Sequence, residues 1–284
     1  MLKQRIITAI VLLLILLPAL FHPDPLYWRL VTLVLTAAAA WEWGRLNGLG
    51  QLGSWLGAFA CFIVCVMAWD LGLLSAPQPL LWTVAGGAWV LVGAALIKAG
   101  VARWGQWPRA LRLPGGLLAL WLTWLAMVQA RDVGIAFLLS ILLLVWMADV
   151  AAYFAGKAWG GRFSAVKLAP AISPGKSWEG VWGGMAGVVL LALVWLALER
   201  AGVLASPSLY SHLQSRGGWV LLLLAVLFLA AMSVVGDLVE SLVKRSAGAK
   251  DSSRLLPGHG GVLDRVDALL PTLPLAMMFY SVLR

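Results

Sequence analysis

Between Ser241 and Asp267 the chain reads SLVKRSAGAKDSSRLLPGHGGVLDRVD. This short run gathers Lys244, Arg245, Lys250, Arg254, Arg265, Asp251, Asp264, Asp267 and His259. The whole chain is 62% hydrophobic and only 12% charged, so such a concentration has no packing purpose and is costly near a bilayer. Its chemistry divides by residue type. Pro257-Gly258-His259-Gly260-Gly261 is a turn whose successive N–H groups can form an anion nest. With Lys244, Arg245, Lys250 and Arg265 around it, a phosphate-rich ligand is the better reading than a plain re-entry turn. Asp264 and Asp267, three apart, share a helix face. Carboxylates beside a polyphosphate site point to Mg²⁺, which is commonly held by one or two carboxylates plus phosphates and water. Just upstream, Asp237, Glu240, Ser241 and Lys244 are spaced to share one helix face. Asp237, inside an apolar run, needs a cation or a metal. Glu240 is balanced between pairing and function.

A second polar stretch runs from Asp149 through Tyr153, Gly156, Lys157, Gly160, Gly161 and Arg162 to Lys167 and Ile172-Ser173-Pro174-Gly175-Lys176-Ser177-Trp178-Glu179-Gly180. Gly175-Lys176-Ser177 has the look of a P-loop end, but Pro170 stands where the loop's first glycine should be and no βα unit surrounds it. Ser177 reads instead as the cap of the following helix, with Lys176 reaching a phosphate or lipid headgroup. Asp149 carries the same burial cost as Asp237. Glu42 is a lone acid, evenly balanced between a pairing role and function.

The elements that position these residues are membrane helices. A span needs about 20 apolar residues. Nine stretches qualify: 6–22, 28–46, 54–74, 79–98, 115–130, 133–155, 178–198, 217–240 and 262–283. The expected fold is all-α, a polytopic membrane protein of about nine transmembrane helices forming one integral membrane domain over 1–284. Residues 1–130 supply N-terminal helices, and 131–284 supply the catalytic helices and two loops. Placing the N-terminus in the cytoplasm puts sixteen of the 21 Lys and Arg residues on that side, a strong positive-inside bias. Both polar loops, 156–177 and 241–261, then face the cytoplasm. The net charge of +9 is accounted for by this bias and by anionic lipid, so nucleic acid is not an expected partner. Seventeen tryptophans suit aromatic belts. Cys61 and Cys65 read as small core residues. Gly180, Gly183, Gly184 and Gly187 form small-xxx-small pairs for close helix contact, within the chain or between subunits.

Ser241-Leu-Val-Lys244-Arg245, Lys250-Asp251 and Leu256-Pro257-Gly258-His259-Gly260-Gly261-Val262-Leu-Asp264-Arg265-Val266-Asp267 together resemble the signature of bacterial phosphatidate cytidylyltransferase, the CDP-diacylglycerol synthase family. Ile172-Ser-Pro-Gly-Lys-Ser-Trp-Glu-Gly180 resembles its second conserved stretch, with Ser177 where threonine is usual; Ser253 stands where glycine is common. The resemblance is motif-specific over about 149–267.

It implies transfer of the cytidylyl group of CTP to phosphatidate, giving CDP-diacylglycerol and pyrophosphate with Mg²⁺, in one or two ions with a second of another type admissible. Asp237 and Asp264 are then the metal ligands, with Asp267 supporting. Lys244 and Arg245 join Asp237 and Asp264 as catalytic residues. Lys176, Ser177, Ser241, Lys250, Asp251, His259, Gly260, Gly261 and Arg265 bind substrate. The resemblance further implies a homodimer of all-helical subunits in membrane lipid, in the bacterial inner membrane. Three other readings make different demands. A secondary transporter favours repeated halves and a site near the midplane. A CTP-dependent lipid kinase releases CDP rather than pyrophosphate. A scaffold tolerates neutral replacement of the acids.

Overall fold

Apolar runs of this length can cross a bilayer only if every backbone N–H and C=O is satisfied within the segment, which selects helices. The computed structural model describes residues 2–284 and consists of ten helices with no strand among them. They are α1 (Leu2–Phe21), α2 (Leu26–Leu46), α3 (Gln51–Asp70), α4 (Pro79–Trp104), α5 (Arg109–Val133), α6 (Ile135–Trp159), α7 (Trp178–Arg200), α8 (Leu209–Ser246), α9 (Leu263–Val266) and α10 (Leu269–Val282). The all-α, multi-pass expectation holds. Among the described residues, seven helices are long and apolar enough to span: α1 and α3 through α8. The remaining two expected spans are present as helices of different character. Helix α2 carries Arg29, Glu42 and Arg45. The stretch 262–283 is broken at Asp267–Ala268, leaving α10 with 14 residues, or about 21 Å, against a hydrocarbon core of about 30 Å.

That break has a visible cause. Asp267 turns its Oδ1 back to accept the N–H of Ala268 at 2.7 Å, an alternative to continuing the ladder. The Asp267 carbonyl also lies so close to Gly236 that a Cβ there would meet it at 2.4 Å. The glycine therefore lets the broken segment press against α8 beside Asp237. Helix α10 packs among α4, α5, α6 and α8, where Leu273, Leu275 and Ala276 have no exposed surface. Helix α8 begins with a Ser208–Ser211 capping box and kinks at Gly218 (φ 68°). Leu209 N and Tyr210 OH bond to Ser140 Oγ and Ser140 O on α6, at 3.0 and 2.8 Å. The Asp237 end of α8 thus continues from an anchored start.

The small-residue stripe of α7 meets its own chain. Added Cβ atoms at Gly183 and Gly187 would lie 2.1 Å from Ala155 Cβ and 2.5 Å from Ala151 Cβ, and one at Gly184 would lie 2.7 Å from the Ala148 carbonyl. The contact is therefore the α6–α7 hairpin. Gly184→Val cannot be absorbed, because the obstacle is backbone. Overpacking of this kind costs about 1–3 kcal/mol, so the melting temperature in detergent should fall by several degrees; an unchanged value would contradict the packing described.

Candidate active site

Helices α6 and α7 stay close up to the loop that joins them, where Gly156 and Gly180 approach each other, and α8 borders the space beside them. The result is a cavity of about 460 Å³ bordered by Asp149 and Tyr153 of α6, Lys176 and Ser177 before α7, and Asp237 of α8. Ser177 accepts the Gly180 N–H at 3.1 Å and so caps α7, as its position predicts. The cap aims the start of α7, with its free N–H groups, at the cavity. Lys176 pairs with Asp237 through its Nζ. Ser241, one turn on, donates to Asp237 Oδ1 at 3.2 Å. The cost of a carboxylate in an apolar helix is met here by an ammonium from the other loop. Asp149 lies within charge range of Asp237, Lys176 and Arg265.

One turn beyond Ser241, Lys244 is 8% exposed and sits between two carboxylates. Its Nζ is 2.5 Å from Glu240 Oε2 and 2.6 Å from Asp264 Oδ1. Asp264 also accepts Ser252 N and Oγ at 2.9 and 2.8 Å and Gly261 N at 2.7 Å, all on Oδ2. Burial alone would raise this carboxyl. The Lys244 ammonium and the Gly261 N–H outweigh it and bring it down to about 2, so Asp264 is an anion at neutral pH. Asp267 is shifted upward, by burial first and then by the charge of Asp237.

The loops themselves are held by two buried glutamates. Glu42 of α2 has no exposed surface. It accepts Ser253 Oγ at 2.5 Å, Ser252 Oγ at 3.2 Å, Val262 N at 3.0 Å and Leu263 N at 2.7 Å. Glu179 of α7, 4% exposed, accepts Phe163 N and Ser164 N at 3.0 and 2.9 Å. Arg245 ties the loops together, donating to Ile172 O and Ala249 O at 3.4 and 3.1 Å. Gly260 (φ 84°) and Gly261 are required because side chains there would strike Asp264 and Glu42: a Cβ at Gly261 would be 2.2 Å from Glu42 Oε1. In this structure the glycine turn is shaped around carboxylates of the chain itself.

The comparisons with known proteins bear on this arrangement. The model of the cytidylyltransferase family matches residues 3–283. The chain belongs to that family. It is 40% identical over 278 residues to the phosphatidate cytidylyltransferase of Pseudomonas aeruginosa, covering 96% of this chain and 95% of the relative. The Haemophilus influenzae enzyme of the same name is 33% identical over 306 residues, covering 99% of both chains. That of Brucella suis is 37% identical over 285 residues, covering 99% of this chain and 94% of its own. The similarity thus extends through the N-terminal helices, where the sequence motifs are silent.

A cytidylyltransferase is a nucleotidyltransferase, and its reaction centre has to gather anions. Of the residues expected there, the structure brings Lys176, Ser177 and Asp237 to the cavity wall, with Ser241 bonded to Asp237 behind it and Asp267 within charge range of Asp237. Lys244, Asp264, Gly260 and Gly261 form the adjoining cluster. Lys250, Asp251 and Arg265 are exposed on the loop side. His259 bonds through its backbone to Leu256 O at 2.8 Å, and its Nδ1 is buried without a partner. Two anchors carry more than their sequence context signals: Glu42, a lone acid of α2, and Glu179, within the Ile172–Gly180 stretch. Their signal is a lone acid at the end of an apolar helix, which demands donors.

The donor set fits Mg²⁺. Asp149, Asp237 and Asp267 are hard oxygen donors, and Asp237 is charge-paired with the Lys176 ammonium. Asp264 already has both oxygens engaged by Lys244, Ser252 and Gly261. Among the described residues, no three His, Cys, Asp or Glu side chains are gathered closely enough to enclose an ion by themselves. Mg²⁺ ordinarily completes its shell with water and substrate phosphates.

Proposed function

We propose that the chain transfers the cytidylyl group of CTP to phosphatidate, forming CDP-diacylglycerol and pyrophosphate at the α6–α7–α8 cavity. The observation that carries this reading is the pairing of Lys176 with Asp237 across that cavity. It joins the 156–177 loop to the α8 helix that leads into the second motif, beside the N-terminus of α7. The names of the full-length relatives support the substrate pair.

In the reaction a phosphatidate oxygen forms a bond to the α-phosphorus of CTP, and the bond to the bridging oxygen of pyrophosphate breaks. No general base is needed, because the attacking phosphomonoester is already ionised near neutral pH. The obstacles are repulsion between two anions and charge growing on the leaving group. Positioning and preorganised positive charge answer both. Lys176, the Ser177 hydroxyl and the free N–H groups of the α7 N-terminus would orient phosphate oxygens in the cavity. Lys244, Arg245, Lys250 and Arg265 would neutralise the polyphosphate, with Asp251, His259, Gly260 and Gly261 bordering it. When bound, Mg²⁺ at Asp237 and Asp267, with Asp264 beside them, would supply charge neutralisation on the triphosphate. The basic residues counted above favour an inner-membrane protein with this site on the cytoplasmic side, where CTP is available. The homodimer implied by the resemblance belongs to the same reading.

Lys176→Gln separates the roles. Loss of a charge-assisted contact to phosphate costs about 1.5–3 kcal/mol, so kcat/KM should fall by at least about tenfold while the protein remains folded. The reading itself is tested by phosphatidate-dependent release of pyrophosphate from CTP. Release of CDP instead would indicate γ-phosphoryl transfer, and release indifferent to phosphatidate would indicate hydrolysis; either outcome contradicts it.

A further inference from the structure

On the far side of α8 from the catalytic cavity lies a second pocket, about 270 Å³, between α4, α5 and the α9–α10 segment. Its walls are apolar: Trp43, Trp89, Trp104, Trp107, Ala88 and Leu263 among them. Three of the tryptophans touch in a row, the first pair edge to face and the second tilted. Trp43 meets Trp104 with ring centroids 5.9 Å apart, and Trp104 meets Trp107 at 6.0 Å. Above Trp104 lies the guanidinium of Arg112, 5.7 Å from the ring centroid. At this end of the pocket two buried donors lie close together without partners. Trp104 is 5% exposed, yet its Nε1 has no hydrogen-bond partner. Arg112 Nε is likewise buried and unpaired. Buried Trp and Arg donors are ordinarily satisfied. Among the described residues none of Arg103, Arg109 and Arg112, which surround this turn, forms an ion pair. The acid on the opposite wall, Glu240, is already paired with Lys244.

We propose that this pocket is a binding site for an anionic phospholipid of the surrounding bilayer, separate from the lipid that reacts. Its phosphate would accept from Arg112 Nε and Trp104 Nε1, and an acyl chain would lie along the tryptophan-lined groove. Charge decides the occupant. A purely apolar ligand leaves the two buried donors and the Arg112 charge unanswered, and a soluble anion leaves the groove empty. The groove wall includes Val239, Glu240 and Leu263, which carry Lys244 and Asp264 on their other side. A lipid seated here would brace the back of the reaction centre.

Native mass spectrometry of the purified full chain, titrated with phosphatidylglycerol, phosphatidylcholine or phosphatidate without nucleotide, tests this independently of the catalytic reading. Wild type should retain one phosphatidylglycerol in preference to phosphatidylcholine. Arg112→Gln should weaken that retention by at least about tenfold, the loss of one charge-assisted bond. Ala88→Trp, at an exposed position on the groove, should weaken retention of both lipids. Equal retention by wild type and Arg112→Gln overturns the headgroup assignment, and unchanged retention by Ala88→Trp overturns the groove. Retention of phosphatidate alone, with phosphatidylglycerol ignored, overturns the distinction from the reacting lipid.

Discussion

Asp237→Asn should lower cytidylyl transfer by about 10²–10³-fold or more, the scale set by removing one preorganised electrostatic group at a reaction centre. The substitution is nearly isosteric, and the side chain is 28% exposed to the cavity, so the fold should survive. The neutral amide keeps its contact with Ser241 and loses what the carboxylate supplies: the ion pair with Lys176 and a hard anionic oxygen for a cation. A paired measurement separates these two losses. Raising Mg²⁺ should leave the Asn variant inactive, whereas Asp237→Glu should regain part of the rate with a shifted Mg²⁺ dependence. Activity of the Asn variant within threefold of wild type would remove Asp237 from the centre and, with it, the case for this cavity.

Glu42→Ala should be nearly as damaging while touching no substrate. Four donors on the 252–263 segment converge on that carboxylate. Each hydrogen bond to a charged group contributes about 1.5–3 kcal/mol, and its loss strands buried N–H groups. The segment carries Gly260, Gly261 and Asp264, so releasing it should abolish transfer. Helical content by circular dichroism should remain, and protease cleavage between 247 and 262 should accelerate. Glu42→Gln, which retains one carbonyl acceptor, should fall between the two. Full activity of Glu42→Ala, with the loop still protected, would show that the loop holds itself. Asp264→Asn is expected to abolish transfer as well, but there the loop and the charge are lost together, so it discriminates less.

The helical architecture was legible because twenty-residue apolar runs admit few alternatives in a bilayer. The α5 and α6 segments, separated only by Gly134, were distinguishable even so. The ninth run holds an irregularity that composition does not show: the helix is interrupted at Asp267, beside Gly236, and that contact is visible only in three dimensions. The charged positions were legible from cost. Asp237 needed a partner and has one, although the partner, Lys176, lies sixty-one residues upstream and spacing could not name it. The glycine turn was read as a cradle for phosphate, whereas its tight approaches in the structure are to Glu42 and Asp264. The two glutamate anchors are hard to assign from sequence because the donors that meet them lie elsewhere in the chain. Most of them are backbone N–H groups, which have no signature in sequence.

The central claim is that CTP and a lipid phosphate meet in the cavity between α6, α7 and α8. The most direct measurement incubates the purified protein with phosphatidate, Mg²⁺ and CTP labelled in the cytosine ring, then counts label in the organic extract. The account predicts label in the lipid fraction, in proportion to pyrophosphate released, and none with Asp237→Asn. A folded wild-type protein that leaves all the label in the aqueous phase would contradict it.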